Sequence, residues 1–200
     1  MTRYARPAVT IHSGLPEHLR PEAALLYWQA FGGKLGRVLG PEPRALRYLA
    51  RVLRAENCLT AYDAQGRLIG LAGFRTSEGT FAGGTRADLF AIYGPVGGRW
   101  RAALLRLLNN DVESDRFLLD GLCVSPAARG QGVGTALLEA IAAEGRARGF
   151  ATLRLDVVDN NTRARALYER MGFTIARTAG IGPLRHVFGF TAAHTMIRPL

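Results

Sequence analysis

The chain has 200 residues, 48% of them apolar, with 26 Lys+Arg against 16 Asp+Glu and a net charge of +10. That length suits a single domain spanning residues 1–200, and that apolar share is enough for a sizeable core. No run of about 18 apolar residues occurs, so no membrane span is expected, and residues 1–10 lack the apolar centre of a secretory leader.

The two cysteines, Cys58 and Cys123, both lie in apolar strand-like runs. They read as free buried thiols of a cytoplasmic protein. The positive charge is almost entirely arginine, spread along the whole chain, with Lys34 as the single lysine. No block of five or more basic residues and no aromatic-basic interleaving occurs, so nucleic acid is not expected as a partner.

In chain order, residues 8–12 suggest an edge strand. A helix is expected from about Pro21, since proline fits a first turn, and Gly32-Gly33 should end it. A second helix is expected over 42–54, with Leu46, Leu49, Val52 and Leu53 inward. Residues 57–62 and 68–75 read as a hairpin around the turn Asp63-Ala64-Gln65-Gly66. Residues 77–116 form a glycine-rich insert with helical stretches at 86–93 and 99–109. A strand at 117–124 is followed by a helix from Thr135 that Gly149 closes. Residues 151–158 alternate as a strand, 162–171 form a helix, and 173–177, 184–190 and 195–198 are strand candidates.

The chain is organised around 120–138. Strand, glycine-dense turn (Arg129-Gly130-Gln131-Gly132-Val133-Gly134-Thr135) and helix follow in that order. Such an arrangement makes an anion site, because a helix's first turn has free N–H groups and a positive dipole end. Successive turn amides can also form a concave nest for phosphate oxygens. A P-loop needs a lysine here and has none, and a dinucleotide fingerprint needs Gly or Ala where Thr135 stands. A second motif, N-x-x-A-x-x-L-Y-x-x-x-G-F, begins 27 residues beyond Gly134. Its Asn161, Ala164 and Tyr168 fall on one helix face.

The Arg-Gly-x-Gly-x-Gly turn after a strand ending in Val-x-Pro, with this second motif at its spacing, resembles the GNAT superfamily of N-acetyltransferases. The resemblance covers roughly residues 57–173. It implies an α/β fold with a central mixed, mostly antiparallel twisted sheet flanked by helices on both sides. In it the strands at 117–125 and 151–158 run parallel and splay apart. It implies acetyl-CoA as cosubstrate, without a metal, and transfer of the acetyl group to a primary amine of a small molecule or peptide by direct attack. Coenzyme A would account for part of the excess positive charge. Carried over by position, Leu122, Cys123 and Val124 match the strand that holds the pantetheine arm and acetyl carbonyl. Arg129 to Thr135 match the pyrophosphate loop. Asn161 and Ala164 lie on the helix that flanks the cofactor, and Tyr168 matches the donor of a proton to the leaving thiolate.

Asp120 interrupts an apolar strand and is the candidate general base, with capping of a bulge as its structural alternative. Glu113 and Asp115 are weaker candidates, Asp156 reads as a strand-surface charge, and Cys123 as a small buried residue. The insert at 77–116 is longer than the minimal family pattern. With the tail at 180–200 it is expected to shape the acceptor pocket, through Phe81, Phe90, Tyr93, Phe188 and Phe190. A coenzyme A-binding sensor or interaction module without catalysis is the alternative reading. A homodimer through C-terminal strands stays open.

Overall fold

The computed structural model describes residues 9–76, 79–108 and 116–200. β1 (Thr10–Ser13) leads to α1 (Arg20–Leu39) and α2 (Glu42–Val52), then to the hairpin β2 (Cys58–Tyr62) and β3 (Leu68–Thr76). β4 (Gly79–Thr80) folds back on β3, and α3 (Arg86–Leu108) leads to β5 (Phe117–Val124). The remainder is α4 (Val133–Ala147), β6 (Thr152–Val158), α5 (Thr162–Arg170), β7 (Thr174–Gly180), the short α6 (Arg185–Phe188) and β8 (Ala192–Pro199). The described strands form one eight-stranded mixed sheet in the order β1-β2-β3-β5-β6-β8-β7, with β4 beside β3. β5 and β6 are its parallel pair, and the other pairings are antiparallel. Among the described residues no helix is long and apolar enough to cross a membrane.

The hairpin forms where turn chemistry placed it. Asp63 Oδ1 accepts from the Gln65 and Arg67 amides at 3.0 and 2.9 Å, and Gly66 takes φ +74°. The side-chain acceptor stands in for a backbone one at the tightest point of the turn.

The core divides by sheet face. Leu26, Tyr27 and Leu39 of α1, Tyr48, Leu49 and Val52 of α2, and Leu89 and Tyr93 of α3 pack on one face with Leu71 and Cys123. Leu137, Leu138 and Ile141 of α4 and Tyr168 of α5 pack on the other with Phe117, Leu119, Leu153 and Leu155. Helices on both faces leave the central strands no solvated side, which is why 117–124 is almost wholly apolar.

Two expectations are corrected. Gly32-Gly33 does not end α1, which runs on to Leu39. Glycine costs a helix interior only about 1 kcal/mol. Burial of Val38 and Leu39 outweighs that, and the Trp28 ring lies where a side chain on Gly32 would sit. The helix stops at Gly40-Pro41 instead. Residues 184–190 are not a strand but a 3₁₀ turn and α6, closed by Gly189 at φ +74°. The β-prone Val187, Phe188 and Phe190 serve tertiary packing instead, two of them buried against Val38. In the insert, the two expected helical stretches form α3 with a break at Gly94 (φ 71°, ψ 173°) before Pro95. Ala8 and Asn109 lie outside the described residues.

Gly73 fixes how closely Phe81, in the segment after β4, approaches the sheet. A Cβ there would sit 2.5 Å from Phe81, which is fully buried. Overpacking of this kind costs about 1–3 kcal/mol, so Gly73→Ala should lower the melting temperature by several degrees. An unchanged melting curve would show that Phe81 can move aside.

Candidate active site

The turn after β5 is built from residues that keep their backbone amides free. Gly130 and Gly132 take φ +80° and +87°, and a Cβ on either would meet open space. This left-handed geometry is cheap for glycine and strained for other residues. Gly132 is the N-cap of α4 and offers no side chain, so nothing local satisfies the first turn. The amides of residues 130–135 donate to no other described residue. Gln131 Nε2 turns back to Ala127 O at 2.8 Å and Arg129 Nε to Val124 O at 3.3 Å. Both loop side chains therefore fold onto the loop's own carbonyls rather than over the amides. The helix begins two residues earlier than expected, at Val133, which adds two amides to the cradle.

Beside the loop the sheet is split. The β5–β6 ladder pairs Phe117 with Leu153, Leu118 with Arg154 and Leu119 with Leu155, and then ends. β3 stays paired with β5 as far as Val124, and β8 stays paired with β6 as far as Val158. The two central strands are thus held from outside while an opening runs between them from Asp120 and Asp156 onward. Asp120 is the extra residue of a bulge, since β3 residue Gly73 faces Gly121 and the next residue, Phe74, faces Leu119. The bulge changes which way β5 faces. Phe117 and Leu119 pack toward α4, whereas Gly121 and Cys123 pack toward α1. Leu122 and Val124 turn toward α4, where the bare Gly134 lets them and Leu167 come close.

α5 closes the far lip. Asn161 Oδ1 accepts from the Ala164 amide at 3.2 Å, the N-cap that starts this helix. Ala164 and Leu167 are half-buried on the same side. Tyr168 is buried, with its ring 5.9 Å from that of Phe173. Its hydroxyl makes no hydrogen bond to another described residue. Burial, and then the nearby Cys123 sulfur, push its pKa well above the phenol's usual value, so it holds its proton. Cys123 packs toward the other face of the sheet.

On the α1 face the opening is lined by charge. Asp120 Oδ2 accepts from the Ala82 amide at 3.2 Å. Asp156 Oδ1 accepts from Thr195 Oγ1 at 2.6 Å, and Arg154 Nη2 lies 3.3 Å from Asp156 Oδ2. Lys34 of α1 acts electrostatically on both aspartates, and its Nζ lies 5.7 Å from the Phe190 ring centre. Sequence reasoning gave Lys34 no role, while its reading of Asp156 as a strand-surface charge agrees with a side chain that is exposed. The available signal was composition, one lysine in a chain that otherwise uses arginine. Of the aromatic residues expected to line a pocket, Phe81 is fully buried, Phe90 packs on Gly98, and Tyr93 donates to Leu39 O. Phe190 alone of that set reaches the charged cluster, through Lys34. Glu113 and Asp115 lie outside the described residues.

A split mixed sheet with an amide-lined turn at the mouth of the split defines the class of this α/β protein. The chain belongs to the acetyltransferase (GNAT) family, whose model matches residues 23–173. It is 45% identical over 62 residues to the [ribosomal protein bS18]-alanine N-acetyltransferase of Escherichia coli, covering 31% of this chain and 42% of that one. It is 32% identical over 157 residues to the mycothiol acetyltransferase of Beutenbergia cavernae, covering 76% and 49%. The chain thus spans less than half the length of these curated relatives. The crystal structure of an N-acetyltransferase from Staphylococcus aureus superposes with a TM-score of 0.69 at 16% identity, covering 94% of this chain and all of that one. The E. coli bS18-alanine enzyme superposes at 0.60 and 22%, covering 96% and 94%. Both likenesses establish the fold.

The thiols give a direct check on this packing. Burial pushes Cys58 up to about 12 and raises Cys123 as well. A raised thiol pKa leaves almost no thiolate at neutral pH. Neither thiol should react with a disulfide reagent at pH 8 until the protein is unfolded, when both should. A fast-reacting thiol in the folded protein would show an open path to the opening.

Proposed function

We propose that the protein transfers an acetyl group from acetyl-CoA to a primary amine of a small molecule or peptide, by direct attack with both substrates bound. One observation carries this reading: unpartnered amides at residues 130–135 stand at the mouth of an opening between two parallel strands. An anionic diphosphate fits the first, where no side chain intrudes. A narrow acyl-bearing arm fits the second, as a substitute strand between β5 and β6. The E. coli relative is named for the alanine of a ribosomal protein and the Beutenbergia relative for mycothiol. This chain's acceptor is therefore proposed only as an amine.

Each residue then has a task. The amides of Gly130, Gln131, Gly132, Val133, Gly134 and Thr135 hold the diphosphate, with α4's dipole behind them, and Arg129, whose own amide donates to Pro126 O, leads the chain into that turn. Leu122, Cys123 and Val124 offer the free backbone edge of β5 to the arm and to the acyl oxygen. Asn161, its oxygen used as a cap, keeps its amide nitrogen for the ligand. Ala164 is small enough to let the arm pass α5. Tyr168, protonated by virtue of its burial, donates to the departing sulfur. Asp120, fixed by Ala82, draws an ammonium group to the opening. Asp120 and Asn161 each spend an oxygen on a backbone amide, which favours the second reading, a coenzyme A-binding module without turnover. Tyr168 argues the other way, because its ring is buried while its hydroxyl has no hydrogen-bond partner among the described residues.

Calorimetry with acetyl-CoA tests the binding half of this, and folded protein that takes up no heat of binding would sink it. Gly132→Ala should weaken that binding about tenfold or more, through lost amide geometry, and lower the melting temperature by a few degrees, because the left-handed backbone costs alanine about 1–2 kcal/mol. Tyr168→Phe should lower kcat by about 10²-fold without changing acetyl-CoA affinity. Equal turnover in the two proteins would remove Tyr168 from the chemistry.

A further inference from the structure

The charged cluster beneath α1 has a geometry of its own. Asp120 and Asp156 occupy the first register position at which the β5–β6 ladder is open, one on each lip. Leu153, Leu155 and Val157 point toward α4, so Asp156 points toward α1. α1 reaches over this point because Gly121 has no side chain. A Cβ there would meet the Phe31 ring at 3.2 Å. Lys34 lies one helical turn beyond Phe31, half-buried, with the Phe190 ring against its ammonium group. It makes no ion pair among the described residues.

Lys34 is also the only lysine among 26 basic residues. Arginine and lysine are equivalent where only a positive charge is needed. They differ in that a guanidinium does not release its proton in proteins, whereas a buried ammonium does so readily. A chain that writes arginine at every other basic position has an amine at the one place where two carboxylates face an acyl-transfer site.

We propose that Lys34 receives the proton of the acceptor's ammonium group, while Asp120 and Asp156 hold the acceptor nitrogen at the opening. This rests on the acyltransferase reading above. The proton passes from the acceptor nitrogen to neutral Lys34 Nζ and then to solvent. The acceptor lone pair forms the N–C bond, the C–S bond breaks, and the second nitrogen proton replaces the one that Tyr168 gives to sulfur. The net change is ammonium plus thioester giving amide, thiol and one released proton.

An amine matches an amine in basicity, which a carboxylate does not, and proton transfer is most effective between matched groups. Burial lowers the pKa of Lys34, while Asp156 and Asp120 oppose that without cancelling it. Other ionisable groups on elements packed around it include Arg37 of α1, Arg154 of β6, Arg185 and His186 of α6, and Arg101 of α3. Arg154 is engaged with Asp156, and Arg37 donates to the His186 carbonyl. Arg101 donates to Gly40 O and lies over the Tyr93 ring. Tyr27 and Cys123, on the same face, are held neutral by burial.

Protein grown with lysine labelled with ¹³C at Cε gives one lysine signal, and its pH titration reads Lys34 alone, with and without acetyl-CoA. The expected midpoint lies below that of an ordinary lysine, about 10.4, and kcat/KM should rise with pH through that midpoint. Lys34→Arg keeps a cation against Phe190 and cannot give up a proton. It should lose about 10²-fold in kcat/KM at neutral pH, together with the alkaline rise, at unchanged acetyl-CoA affinity. An ordinary or raised midpoint, or an arginine variant with full activity and the same pH profile, would leave Lys34 as a packing cation and overturn the proposal. Absence of acetyl-CoA binding to the unaltered protein would instead sink the acyltransferase reading. The titration distinguishes the two failures, because it needs no turnover.

Discussion

Everything in this molecule that bears on chemistry depends on a ladder that stops. β5 and β6 pair over three residues and then part, although both strands continue. Unpaired strand edges inside a sheet are costly, because each carries donors and acceptors that water or protein must satisfy. The split survives because neither strand relies on the other. β3 holds β5 through Val124 and β8 holds β6 through Val158. The apolar faces are covered by α1 above and α4 below. What remains is a slot with backbone groups along its walls.

The bulge at Asp120 decides what the slot presents. One additional residue on β5 moves the next side chains to opposite faces, so that Gly121 rather than a large residue meets α1. Tyr27 and Phe31 fill the space so gained, and Lys34 follows one turn later at the open end. A single irregularity in hydrogen bonding thus sets both the apolar side of the slot, with Leu122 and Val124 beside Gly134, and its charged side.

The two ends of the slot are electrically different. At the α4 end, free amides and a helix dipole favour an anion without any charged side chain in the first turn. At the α1 end, Asp120 and Asp156 lie near enough to the Lys34 amine to act on it electrostatically. The net charge of +10 does little to set this contrast, because the arginines are spread along the whole chain and several sit in short-range surface pairs such as Arg148 with Glu144 and Arg165 with Glu169. Exposed pairs of this kind contribute well under 1 kcal/mol each.

The sequence by itself determined the parts whose causes are local. Glycines at 130 and 132 announce a turn that other residues avoid. Asn161 announces a helix start. Residues 117–124 announce a strand buried on both sides. Strand, loop and helix in that order therefore placed the glycine turn after β5 and the face of α5 that carries Tyr168. Tertiary structure alone decided where the β5–β6 ladder ends, that Asp120 is the additional residue of a bulge, and that α1 continues through Gly32 and Gly33. It alone brought Lys34 over Asp120 and Asp156, from positions far apart in the chain. It also turned the β-prone run at 184–190 into a helical turn, because Phe188 and Phe190 gain more from packing on Val38 than from a ladder. The reason is the same throughout. A residue's own backbone preference is written in its neighbours along the chain, whereas burial, register and the meeting of charges depend on elements that only the finished sheet brings together.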